Sequence, residues 1–117
     1  MSLQACNKTL FSTLAVSLFL SFSPNALAVD IDADAAQALL KESKCLKCHS
    51  VDKKKDGPSY KEVAAKYKGK PDAVAKLTKH VTEPSKVEID GVKEDHGGVK
   101  TRDPAKVSNL VQWILSL

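Results

Sequence analysis

Of the chain's 32 charged side chains, 18 basic and 14 acidic, all but Lys8 lie after residue 28. That partition constrains the fold more than any other feature, because no single folded unit of ordinary composition spans both parts. Leu10 to Phe22 is an apolar run broken only by Ser and Thr, a positive charge precedes it, and Ala26-Leu27-Ala28 supplies the small-x-small pattern that a signal peptidase reads. Export with cleavage between Ala28 and Val29 is expected. The apolar run falls well short of the roughly 20 residues a spanning helix needs, so stable membrane insertion is not expected. Leu3-Gln4-Ala5-Cys6 stands ahead of the apolar run, where no lipidation machinery would use it, so Cys6 and Met1 leave with the signal.

Residues 29–117 are then one domain, and a small one. Phe11, Phe19 and Phe22, all three phenylalanines, fall in the signal segment, and about a third of what remains is charged. A domain with so little to bury is marginal unless something adds to its core.

Its periodicity is helical, and none of it reads convincingly as a strand. Ala36, Leu39 and Leu40 space a first helix from Ala33 to about Cys45, with Asp32 or Asp34 as N-cap. Ser59-x-x-Glu62 is a capping box opening a second, Tyr60 to about Lys68, with Tyr60, Val63, Ala64 and Tyr67 on one face and Gly69 at its end. Pro71-Asp72 starts a third, to about Thr82, with Val74, Leu77 and Val81 inward. Asp103-Pro104 caps the last, whose Val107, Leu110, Val111, Trp113, Ile114 and Leu115 form the strongest amphipathic stretch. Between Glu83 and Arg102 lies a segment with Gly91, Gly97 and Gly98 and no clear period; a loop this long is usually functional or a misread element.

Cys45-Leu46-Lys47-Cys48-His49 is the C-x-x-C-H signature of covalent c-type haem attachment. Two thiols three positions apart reach the two vinyl groups, and the adjacent imidazole meets the iron. A thioredoxin-like redox pair would follow a strand of a βαβ unit, and a zinc site would need a second ligand pair. A plain disulfide would leave His49 and the glycine-bearing segment unexplained.

With Gly57-Pro58, Tyr60-x-x-Val63-Ala64-x-x-Tyr67 and the final helix carrying Trp113, the chain resembles the small monohaem class I c-type cytochromes of bacteria. The likeness covers essentially all of residues 29–117 and implies an all-α fold, about four helices wrapped around one haem c. It also implies that the carbonyl of Pro58 accepts a hydrogen bond from the other ring nitrogen of proximal His49, fixing its tautomer. The family's sixth ligand is usually a methionine before the last helix, and residues 29–117 contain none. His96, followed by Gly97 and Gly98, occupies the matching region and is the expected distal ligand; glycines there let the backbone approach the haem closely. His80 matches a position that tends to contact a haem propionate. Lys93 or Lys100 could bind iron only after losing a proton, which neutral pH disfavours.

The expected function is a periplasmic one-electron shuttle with His49/His96 axial ligation, which implies a lower reduction potential than methionine ligation gives. It would be a monomer docking with redox proteins at the exposed haem edge. The alternative is a haem-based binder of a small gas such as nitric oxide, with His96 displaced. A peroxidase-like enzyme would need an open iron assisted by Glu94 or Asp95, so no enzymatic activity is expected. Lysines gather around the motif (Lys41, Lys44, Lys47, Lys53, Lys54, Lys55) while acids collect between Glu83 and Asp95. This pattern fits either steering of acidic partners or an ordinary solvated surface. The modest excess of positive charge, without aromatic residues among the lysines, gives nucleic-acid binding no support.

Overall fold

The computed structural model describes residues 30–117; the expected signal segment and the Ala28–Val29 cleavage point lie outside the described residues. The first helix, α1 (Ala33–Glu42), begins where Asp32 accepts a hydrogen bond from the backbone of Ala35 at 2.8 Å. It stops three residues earlier than its spacing suggested. Lys44 adopts a left-handed φ of 63°, which breaks the helix and leaves a single 3-10 turn over Cys45–Lys47. The haem motif therefore sits on a compact turn outside the helix.

The second helix, α2 (Tyr60–Tyr67), opens on the predicted capping box, with both reciprocal bonds between Ser59 and Glu62 formed. Gly69, at φ 72°, follows its end. In α3 (Ala73–Thr82) the inward stripe is Ala73 and Leu77; Val74, expected inside, is exposed. The helix starts at Ala73, and the i, i+4 pair from that start faces the core while Val74 lies about 100° round the axis.

The segment after α3 corrects the expectation of a structureless, strand-free loop. It is a β-hairpin, β1 (Ser85–Ile89) and β2 (Val92–His96), paired antiparallel from Ser85 opposite His96 to Ile89 opposite Val92. Asp90 and Gly91 join the strands with φ of 49° and 81°. Two successive positive φ values are what a two-residue type I′ turn needs, and Asp-Gly is among the sequences that supply them. The helical part of the expectation holds, with four α-helices among the described residues and the hairpin as an addition.

The last helix, α4 (Pro104–Leu115), packs against α1, α2 and α3. Its Val107, Leu110, Val111, Trp113 and Ile114 meet Ala36, Leu39 and Leu40 of α1, Tyr60 of α2 and Leu77 of α3 in one core. Asn109 ties α4 to the entry of α1 by two reciprocal bonds with the backbone of Asp32, at 2.9 and 2.8 Å. The effect is to fix α1, and with it the turn that carries the cysteines, against the best-buried helix.

Candidate haem site

Cys45, Cys48 and His49 are drawn together by the turn, in which the backbone amides of Cys48 and His49 both reach the carbonyl of Cys45, at 3.3 and 3.0 Å. Both thiols are free. Burial pushes the Cys45 thiol above its ordinary value, partly offset by a backbone hydrogen bond.

The His49 ring is held from three sides. Its Nδ1 lies 2.7 Å from the carbonyl oxygen of Pro58, so Nδ1 carries the proton and donates it, leaving Nε2 as the free lone pair. Gly57 passes so close that a Cβ there would lie 2.5 Å from His49 Cε1. Tyr60 stacks on the ring with centroids 5.4 Å apart and planes at 24°, and Trp113 meets Tyr60 edge-on at 6.1 Å. Burial drives the Tyr60 hydroxyl far above the usual tyrosine range. Reading the sequence missed Gly57 and Tyr60 as supports of His49. The available signal was that both flank the Pro58 contact.

Facing His49 is His96, at the end of β2, with ring centroids 6.3 Å apart and planes at 81°. His80, in the last turns of α3, lies beside His96 at 4.3 Å and 32°. The structure thus brings all three histidines into one cluster. Nδ1 of His96 is buried and makes no hydrogen bond. Burial lowers the pKa of both His96 and His80, helped at His96 by His80 and His49 and at His80 by His49 and Lys66, which favours the neutral imidazole that can donate a lone pair.

Two backbone contacts hold this geometry. The amide of Val99 donates to the carbonyl of Val81 at 2.7 Å. Gly98 packs so tightly on α3 that a Cβ there would lie 2.7 Å from the carbonyl oxygen of Thr82. Lys93 is exposed on the hairpin, and Lys100 is exposed where its backbone amide bonds the Ser43 hydroxyl at 2.9 Å. A cavity of about 360 Å³ opens beside His49, lined also by Leu46, Val51, Lys53 and Lys55. A larger groove of about 470 Å³ lies between α1 and α4, away from the histidines.

Free thiols on one turn, an imidazole with an oriented lone pair, and a second imidazole with an orphaned buried nitrogen fit a covalently held haem. The sequence profile of the cytochrome c family matches residues 33–117. The chain belongs to the cytochrome c family. Cytochrome c-551 of Stutzerimonas stutzeri is 38% identical over 110 residues, covering 94% of this chain and 97% of the relative. Cytochrome c-552 of Hydrogenobacter thermophilus is 35% identical, covering 71% of this chain and 82% of that one. Among solved structures, the class 1 cytochrome MtoD of Sideroxydans lithotrophicus ES-1 superposes with a TM-score of 0.69 at 53% identity, over 74% of this chain and 96% of MtoD. Wild-type cytochrome c552 of Nitrosomonas europaea gives 0.56 at 30% identity, over 73% and 98%.

This small class I cytochrome c is therefore an electron-transfer protein with one covalent haem c, and not an enzyme. In such a cytochrome the haem supplies the redox centre, and the chain's own residues hold it, set its ligands and cover it.

Proposed function

We propose that this cytochrome is a periplasmic one-electron shuttle whose haem is bound by thioethers of Cys45 and Cys48 and ligated axially by His49 and His96. The observation that carries the ligand pair is the 6.3 Å separation of the two rings. Two metal–imidazole bonds of about 2.0–2.1 Å, with each ring centre about 1.1 Å beyond its nitrogen, separate ring centres by about 6.3 Å.

In this reading Pro58 keeps the lone pair of His49 on Nε2 and strengthens it, as hydrogen bonds to the far nitrogen of a metal-bound histidine do. His80 would reach a haem propionate from its place beside His96. Two strong ligands hold an iron in nearly the same geometry in both oxidation states, which suits electron exchange. The gas-binding alternative has no observation of its own behind it.

Export follows from the segment before Val29, and none of the helices among the described residues is long and apolar enough to cross a membrane. The lysines around the motif would favour acidic redox partners, docking the cytochrome as a monomer at the haem edge.

The deciding experiment is the absorption and EPR spectrum of the ferric holoprotein beside His96→Ala. The wild type is expected to be low-spin, and the variant to become high-spin and to bind added imidazole. An unchanged low-spin spectrum in His96→Ala would remove His96 from the ligand set.

A further inference from the structure

The two rings facing each other across the site are restrained in different ways. His49 is fixed by the Pro58 carbonyl, by the absence of a Cβ at Gly57 and by the Tyr60 ring. His96 has no hydrogen bond at its buried Nδ1, so none there resists rotation of the ring about its Cβ–Cγ bond. What lies against it is His80, 4.3 Å between centroids with planes tilted by 32°. Nδ1 of His96 makes no hydrogen bond to it, so the contact is one of packing.

His80 is itself placed firmly. It is part of α3, whose end is bonded to Val99 through the Val81 carbonyl and pressed by Gly98 at Thr82. Ser85, just after α3, pairs with His96 across the hairpin. The same short stretch thus positions both the backbone of His96 and the ring that packs on it.

We propose that His80 is a positioning residue that holds the ring plane of His96 nearly perpendicular to that of His49. The inference rests on the ligation reading above and deepens it. The electronic consequence follows from symmetry. Each axial imidazole offers its filled π orbital, perpendicular to the ring plane, to one of two π-type d orbitals on the iron. Parallel rings raise one of those orbitals and split the pair. Rings crossed at 81° act on both almost equally and leave them close in energy. A low-spin ferric centre of the second kind shows one dominant, strongly shifted low-field EPR feature instead of three resolved lines.

Low-temperature EPR of the ferric holoprotein tests this with three variants. The wild type should show the single low-field feature. His80→Ala removes the packed ring, and its signal should move to higher field and spread toward a three-line pattern. His80→Phe restores a flat ring with no polar atom and should return the wild-type signal. An unchanged His80→Ala spectrum overturns the proposal, as does a His80→Phe spectrum matching that of His80→Ala, which would assign the effect to a polar contact such as a propionate. His96→Ala separates the layers of the argument. If it keeps the wild-type signal, the ligation reading has failed; if it loses that signal while His80→Ala keeps it, only the role of His80 has failed.

Discussion

The carbonyl oxygen of Pro58 lies 2.7 Å from Nδ1 of His49, and Gly57, one residue earlier, presents its Cα to the same ring. The two contacts belong together, since a side chain at position 57 would occupy the space that lets the ring reach the carbonyl. Its amide also bonds the carbonyl of Cys48 at 2.8 Å, closing the loop back onto the motif.

Gly57→Ala should therefore displace the His49 ring, with a Cβ 2.5 Å from Cε1 and 2.8 Å from Nδ1. The expected cost is about 1–3 kcal/mol, the range for forcing extra atoms into a packed site. Holoprotein yield, read from haem absorbance, should fall together with the melting temperature.

On the opposite side of the site, Gly98→Ala should act on His96, the proposed distal ligand. Its Cβ would lie 2.7 Å from the Thr82 carbonyl oxygen and 3.0 Å from the carbonyl carbon, backbone atoms that cannot turn aside. The segment must lift from α3, taking His96 with it, at a cost of about 1–3 kcal/mol. Titration of ferric Gly98→Ala with cyanide or imidazole should show tighter apparent binding than the wild type, because a loosened His96 competes less. Equal affinities would mean that the Gly98 contact does not control the ligand.

Acid stability has a local contributor at the start of α2. The Ser59 amide donates to the Glu62 carboxylate at 2.7 Å, and this bond lowers the Glu62 pKa below its ordinary value. A carboxyl group with a depressed folded-state pKa adds stability that is fully present above its unfolded value of about 4.3 and is lost as pH falls through the folded one. Denaturant unfolding of wild type and Glu62→Gln should therefore differ most at neutral pH. The gap should begin to close as pH falls below about 4.3 and vanish once pH is below the lowered folded-state value, where both side chains are uncharged.

The four helices were legible because each carries its own local instructions. Asp32, the Ser59–Glu62 box and Asp103-Pro104 cap their helices as the residue types suggest, and the apolar spacing of α4 is the core itself. The motif was legible for the same reason, being one short stretch of chain, whereas the Pro58 contact was legible only through the resemblance to class I cytochromes c. The hairpin was not, because β2 holds one apolar residue, Val92, and that side chain is exposed. Its alternation is carried instead by charge: Lys86 pairs with Asp95, in a salt bridge, and Glu88 sits opposite Lys93. A hydrophobic period cannot reveal a strand built that way; Asp90-Gly91 was the cue. The placement of His80 beside His96 was also beyond a local reading, because it depends on the hairpin folding the chain back onto α3.

That dependence makes the Asp90-Gly91 turn a remote control on His96, the proposed distal ligand. A two-stranded ribbon is marginal by itself, and this one has little apolar surface to add. Gly91 sits at φ 81°, where an L side chain is strained and a β-branched one most of all. Gly91→Val should cost about 1–2 kcal/mol at the turn and weaken the pairing that runs from Ile89–Val92 down to Ser85–His96. Nothing lies within 4 Å of a Cβ at position 91, so the substitution acts through backbone strain and not through a clash. Hydrogen exchange should quicken along 85–96 while α1 and α4 stay protected. The ferric spectrum should gain a high-spin fraction that grows with temperature. If exchange in the hairpin quickens with no change in spin state, His96 is held by α3 and the Gly98 contact alone, and the strands only cover the site.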